Sequence, residues 1–136
     1  MSLIERTILK LRFHVWSKLK ANFCPSFYFS HSQFGEDMVV RFLTNDSTLG
    51  FYVDIGAHHP VYISNTYHFY SKGWRGINID AIPGSMDVFK VLRPKDINLE
   101  LCLSPLEGEE IDFFIFDRPA FNTFCSQRVD EVVASG

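Results

Sequence analysis

With 136 residues, 46% of them apolar and 14 of them phenylalanine, the chain has the length for one domain with a real core and is too apolar to be disordered. It has no run of roughly eighteen uncharged apolar residues, and no apolar stretch with a small-residue cleavage site follows its basic N-terminus, so neither a membrane span nor a secretory signal is expected. The net charge of −3 is unevenly spread: residues 1–20 set Arg6, Lys10, Arg12, Lys18 and Lys20 against Glu5, a net +4, and the remainder, with eight basic and fifteen acidic residues, carries −7.

Residues 3–20 read as a helix, because Ile4, Ile8, Leu11, Val15 and Leu19 recur at helical spacing, with Leu9, Phe13 and Trp16 widening the stripe. The plain expectation is a helix packed on the body or on a second copy; the alternative is a basic amphipathic helix lying on an anionic membrane. Residues 21–31 read as a connector. In "SQFGEDMVVRFL", Glu36 and Asp37 belong in a first helical turn, where acids suit the dipole, and Met38, Val39, Phe42 and Leu43 are expected to form its buried face. "NDSTLG" then breaks the helix.

Residues 51–55, apolar but for Asp54, read as a parallel strand covered on both faces. "SNTYHFYSK" reads as a helix over residues 64–72, with Ser64 or Asn65 near its cap and Gly73 after its end. "GINID" is a second strand, ending in Asp80. "PGSMDVFKVL" is a helix opened by Pro83 and closed before Pro94. "INLELCL" is a third strand, the "PLEGEE" turn follows, and "IDFFIF" is a fourth strand. Residues 129–136 offer a helix start at most. Alternating strands and helices define an α/β, doubly wound pattern with right-handed crossovers. Such a domain has two βαβ halves, and only the first is complete in this chain, so a truncated half-sheet is expected.

Ligands of open parallel sheets bind outside the carboxyl ends of the strands. Asp54-Ile55-Gly56 and Asp80 lie at two such ends. Gly56 permits a sharp turn and a close ligand approach, and Asp80 follows it by 24 residues, near the roughly 20 expected of an acid that accepts from ribose hydroxyls. A dinucleotide needs G-x-G-x-x-G to cradle its pyrophosphate, but the two later glycine positions hold His58 and Val61. S-adenosylmethionine has no phosphate, and its sulfonium and ammonium are cations, so an acidic turn favours it over NAD.

Three stretches, "SQFGEDMVVRFL", "GFYVDIGAHHPVYISNTYHFYSKGWRGINIDAIPGSMDVFKVLRPKDINLELCLS" and "FFIFDRPAFNTF", together resemble FkbM-type S-adenosylmethionine-dependent methyltransferases over roughly residues 30–125. The resemblance implies a Rossmann-like class I methyltransferase fold and S-adenosyl-L-methionine as cofactor. It further implies transfer of a methyl group to a hydroxyl of a sugar or other small molecule. Val53 to Ala57, with Asp54 and Gly56, match the family's first cofactor motif. Asp80, followed by Ala81, matches the acid that holds the ribose. Gln33 and Asp37 are implied to line the cofactor end of the pocket, Ser64, Asn65 and Thr66 to form the turn and helix start after the first strand, and Cys102 to Ser104 to border the adenine. His58 departs from the second glycine of many methyltransferases. The acidic "D-x-E-G"-like strand segment that the family carries further on, with its acceptor contacts, is missing from this chain.

The implied division is a helix and connector over residues 1–25 and the N-terminal portion of a methyltransferase domain over 26–136, with little turnover expected of this chain. Two alternatives stand: a non-catalytic, degenerate methyltransferase-like module kept for association, and an NAD-dependent oxidoreductase. No residue is assigned as catalytic base. His58 and His59 are adjacent, so their side chains diverge and a shared metal is not expected. Either could act as a base near neutral pH, but a loop histidine bordering the pocket is the plainer reading. Cys24, Cys102 and Cys125 form no CxxC pair, which argues against zinc and disulfides and makes a reducing cytoplasm the default compartment. With no basic patch interleaved with aromatics in the acidic body, nucleic acid is not an expected partner.

Overall fold

The computed structural model describes residues 4–12, 15, 28–104, 111–117 and 121–135. The rest of the helix expected over residues 3–20, most of the connector, Cys24, and the turn at residues 105–110 lie outside the described residues. The chain divides into two compact units, Met1–Cys102 and Leu103–Gly136. Among the described residues it is a mixed α/β chain with a three-stranded parallel sheet and five helices, compatible with a Rossmann-like half-fold.

In the first unit, residues 4–12 are helical (α1). Of the described residues of the expected stripe, Ile4, Ile8, Leu11 and Val15 are exposed and Leu9 is half-buried. Helix α2 (Glu36–Leu43) has both acids in its first turn, as the sequence implies, and its C-terminus passes into Asn45 and Asp46, both at φ 51°. Its expected apolar face is a correction. Val39, Phe42 and Leu43 are exposed, Met38 is half-buried, and the one buried residue of the helix is Asp37.

The sheet is built from β1 (Phe51–Ile55), β2 (Arg75–Asp80) and β3 (Ile97–Glu100), in that spatial order and parallel throughout. Helix α3 (Tyr67–Lys72) connects β1 to β2, and α4 (Met86–Leu92) connects β2 to β3. The β-branched and aromatic content of β1 suits a pleated strand. Its register against β2 sets Tyr52 opposite Gly76 and Asp54 opposite Asn78. Gly76 is required there, because a Cβ would overlap both the ring and the carbonyl oxygen of Tyr52.

The two-sided burial expected of β1 is also corrected. Its residues alternate, Tyr52 and Asp54 buried, Phe51, Val53 and Ile55 exposed, and β2 is the central strand of the three. The covered face carries Tyr52, Asp54, Asn78 and Asp80; on the apolar face Phe51, Val53, Ile55, Ile97 and Leu99 are exposed, while Ile77 of the central strand is half-buried and Ile79 buried. Alternation is the signature of a strand covered on one side only.

Three element boundaries shift. Helix α3 begins at Tyr67, with Thr66 as N-cap residue and the Ser64 hydroxyl accepting from the Tyr67 N–H (3.1 Å); Gly73 closes it at φ 111°, as expected. Helix α4 begins at Met86, after a turn through Pro83 and Gly84. β3 ends at Glu100, with one further bond to β2 from the Leu101 N–H before residues 102–104 depart.

In the second unit, the fourth strand expected over "IDFFIF" reduces to one antiparallel bridge, Phe114 with Thr123, beside a stacked Phe113–Phe124 pair (4.5 Å). The expected helix start is instead a full helix, α5 (Ser126–Ser135).

Candidate functional site

Asp54 and Asp80 lie on neighbouring parallel strands and on the same covered face, since Asp54 pairs with Asn78 and Asp80 follows by one pleat repeat. Asp80 ends β2, and Asp54 is the last buried residue of β1. The two strand-end acids singled out from sequence are therefore brought together at the carboxyl edge of the sheet.

The chain leaves β1 through a tight turn. The N–H groups of Gly56 and Ala57 both donate to the Ile79 carbonyl (2.9 and 3.0 Å), which holds the turn against the end of β2. Gly56 has φ 72° and open space where a side chain would stand. Ala57 is buried against Met86 and Phe89 of α4, so its small size serves packing. His58 (φ 54°) and Ile63 (φ 50°) adopt the left-handed region as well. For β-branched Ile63 this is strained backbone, costing on the order of 1–3 kcal/mol, and such strain concentrates at functional sites.

Asp80 braces this turn. Its Oδ2 accepts from the His58 N–H (2.8 Å) and its Oδ1 from the Ile82 N–H (2.9 Å), so one carboxylate joins the loops after β1 and β2. Each oxygen keeps a lone pair for a further donor. Asp54 Oδ2 accepts from the Thr66 hydroxyl (2.6 Å). Burial pushes the Asp54 carboxyl above its ordinary range; the Thr66 hydrogen bond and the Arg93 charge pull it down, and Asp80 pushes it up again.

One buried residue beside the site was not anticipated from sequence. Arg93, the C-cap residue of α4, is fully buried. Its Nε donates to Pro60 O (2.8 Å), one terminal nitrogen to Thr66 Oγ1 (2.7 Å) and Asn78 Oδ1 (3.1 Å), and the other to Ser64 Oγ (2.7 Å). Burial lowers the guanidinium's pKa, while Tyr52, Asp96 and Asp54 raise it. Arginine remains protonated in proteins. A second hub adjoins it: Asp96 accepts from the Tyr52 hydroxyl, the Gly76 N–H (3.1 Å) and the Asn78 side-chain amide (3.1 Å). The available signal was positional, since Arg93 stands four residues after Phe89 and seven after Met86, on the buried stripe of α4.

The other expected site residues are less tightly grouped. The buried Asp37 carboxylate accepts from Ser30 Oγ (2.6 Å), the His31 N–H (2.7 Å) and Ser32 Oγ (2.8 Å). Burial raises its pKa, but these hydrogen bonds outweigh burial and hold it below the ordinary carboxylate value. Its link to the turn is indirect, through the Ser64 N–H donating to His31 O (2.7 Å). Gln33 and Asn65 are exposed, and Ala81 is half-buried. Cys102 is exposed, one residue past Leu101, whose N–H donates to Asp80 O (3.1 Å). The ring Nδ1 of His59 accepts from the N–H groups of Val61 and Tyr62 (3.1 Å each), so its lone pair is engaged and Nε2 carries the proton. Burial, with His58 and Arg93, lowers the pKa of His59.

Among the described residues no group of three or more His, Cys, Asp or Glu side chains could hold a metal ion, and no helix is long and apolar enough to cross a membrane. No family model, no curated protein and no solved structure matches the chain.

Proposed function

We propose that the chain is the cofactor-binding part of an S-adenosylmethionine-dependent methyltransferase acting on a hydroxyl of a sugar or small molecule. The observation that carries this reading is the pair Asp54 and Asp80, on one face at the ends of adjacent parallel strands, beside a turn opened by Gly56 at φ 72°. Ligands of such sheets bind at that edge. A cationic, phosphate-free adenosine compound suits two carboxylates, and a pyrophosphate does not, since His58 and Val61 stand where a dinucleotide site needs glycine. In the proposed complex the free lone pairs of Asp80 accept from the ribose hydroxyls, and Asp54 faces the cationic amino-acid end of the donor. Methyl transfer is an in-line displacement at the sulfonium carbon, and the protein contributes chiefly alignment.

A second reading, a degenerate fold kept for association, is favoured by one observation: both Asp80 oxygens already accept backbone N–H groups, a bracing role that needs no ligand. A thermal-shift titration separates the readings. A ligand that binds only the folded state at a hundred times its Kd adds about 2.7 kcal/mol of stability. S-adenosylmethionine and its demethylated product are expected to raise the Tm, and NAD is expected to leave it unchanged. A rise with NAD alone would replace the methyltransferase reading with an oxidoreductase one, and no rise with any of the three would favour the non-catalytic module.

A further inference from the structure

We infer that Arg93 and Thr66 form a directed hydrogen-bond relay whose task is to aim a hydroxyl proton at Asp54 and so fix its Oδ2 as an acceptor at the edge of the sheet. The direction follows from donor and acceptor capacity. A guanidinium has only donors, so Thr66 Oγ1, 2.7 Å from the Arg93 terminal nitrogen, must accept there. The single hydroxyl proton of Thr66 is then free to point elsewhere, and it points at Asp54 Oδ2, 2.6 Å away. The same nitrogen donates to Asn78 Oδ1, which turns the Asn78 amide nitrogen toward Asp96 and Asn98 (3.1 and 2.9 Å). One arginine thus sets the polarity of the hydrogen bonds made by Thr66 and by Asn78.

The residues of the relay come from three elements. Arg93 caps α4, Thr66 caps α3, and Asp54 belongs to β1. All three are buried, where an unaided carboxylate favours its neutral form. The charged groups that act on Asp54 are Arg93 from α4, which favours ionisation, and Asp80 from β2, which opposes it. Arg93 and Thr66 are positioning residues in this account, because they act on a ligand only through Asp54. The consequence for cofactor affinity rests on the proposed function; the direction of the relay does not.

The test is a carboxyl-carbon NMR titration of the whole chain without ligand, with the Asp54 signal assigned through Asp54→Asn. Thr66→Val keeps the shape and removes the hydroxyl, and it is expected to raise the Asp54 titration midpoint by about one pH unit. Thr66→Ser restores the donor and is expected to return the midpoint to the wild-type value. A folded Thr66→Val chain with an unmoved midpoint, or a serine variant that behaves like valine, overturns the relay.

A second readout needs no variant. In the wild-type chain the Thr66 hydroxyl proton is expected as an exchange-protected resonance whose shift follows the Asp54 titration. A hydroxyl signal averaged with water, or one indifferent to that titration, also overturns the relay. Failure of S-adenosylmethionine to bind would refute the proposed function while leaving these two results intact.

Discussion

The two faces of the sheet differ in an uncommon way. The face against α3 and α4 is buried and carries Tyr52, Asp54, Asn78 and Asp80; the opposite, more open face exposes Phe51, Val53, Ile55, Ile97 and Leu99 around a half-buried Ile77 and a buried Ile79. Polar groups are inside because they satisfy one another. Arg93 and Asp96 bond the side chains of Tyr52 and Asn78, Thr66 donates to Asp54, and the His58 and Ile82 N–H groups donate to Asp80; a buried polar group is tolerated when its hydrogen bonds are made. The covered face therefore derives its geometry from a network with few alternative arrangements. The open face, with apolar side chains in water, contributes little to the stability of the chain by itself.

The contrast breaks most severely at Arg93. Arg93→Met leaves acceptors on Pro60, Ser64, Thr66 and Asn78 without their donor, each costing about 1–3 kcal/mol when buried. The sum reaches the scale of a whole domain's stability, about 5–15 kcal/mol, so loss of the cooperative unfolding transition by circular dichroism is expected. Gly76→Ala forces a methyl group into the Tyr52 ring and carbonyl and is expected to cost about 1–3 kcal/mol in a urea titration.

Asp80→Asn replaces one acceptor with a donor that faces either the His58 or the Ile82 N–H. A loss of about 1–3 kcal/mol is expected, with faster amide exchange at the affected one of these two residues.

A smaller effect lies away from the sheet, where Asp46 meets Arg41, His68 and Lys72. Burial pushes its carboxyl up, but the hydrogen bonds from His68, Lys72 and Arg41 prevail and hold it at about 2. A carboxyl depressed in the folded state adds stability that is complete above the unfolded value of 3.8 and is lost as the pH falls toward 2. Asp46→Asn is expected to flatten that acid limb, with a change at neutral pH below about 1 kcal/mol because the pairs are partly exposed. Smallest of all, Val53→Thr on the open face is expected to stay within about 0.5 kcal/mol of wild type. A large loss there would mean that the apolar face is not bare in solution.

The elements were legible where local signals agree. Strand, helix, strand, helix, strand follows from apolar runs punctuated by Gly73, Pro83 and Pro94, and three parallel strands are found in that order. Asp54 and Asp80 stood out because each is a lone acid ending an apolar run. The fourth strand failed because "IDFFIF" has strand composition but only a single bridge for a partner. The burial of α2 failed because periodicity marks a stripe without saying what covers it, and three serine, histidine and serine donors drew Asp37 inward instead. Arg93 was overlooked, although its helical spacing from Phe89 and Met86 pointed inward, for a related reason. An arginine before a proline at a helix end looks like a solvated cap, and only the loop from β1 to the cap of α3, together with Asn78 of β2, supplies the acceptors that allow it to be buried.

The most direct measurement is a crystal structure of the chain with S-adenosylhomocysteine. The account predicts the ribose hydroxyls within hydrogen-bonding distance of the Asp80 carboxylate, about 2.5–3.0 Å, and the amino-acid end of the ligand beside Asp54. A ligand held elsewhere, its sugar remote from Asp80, would contradict it.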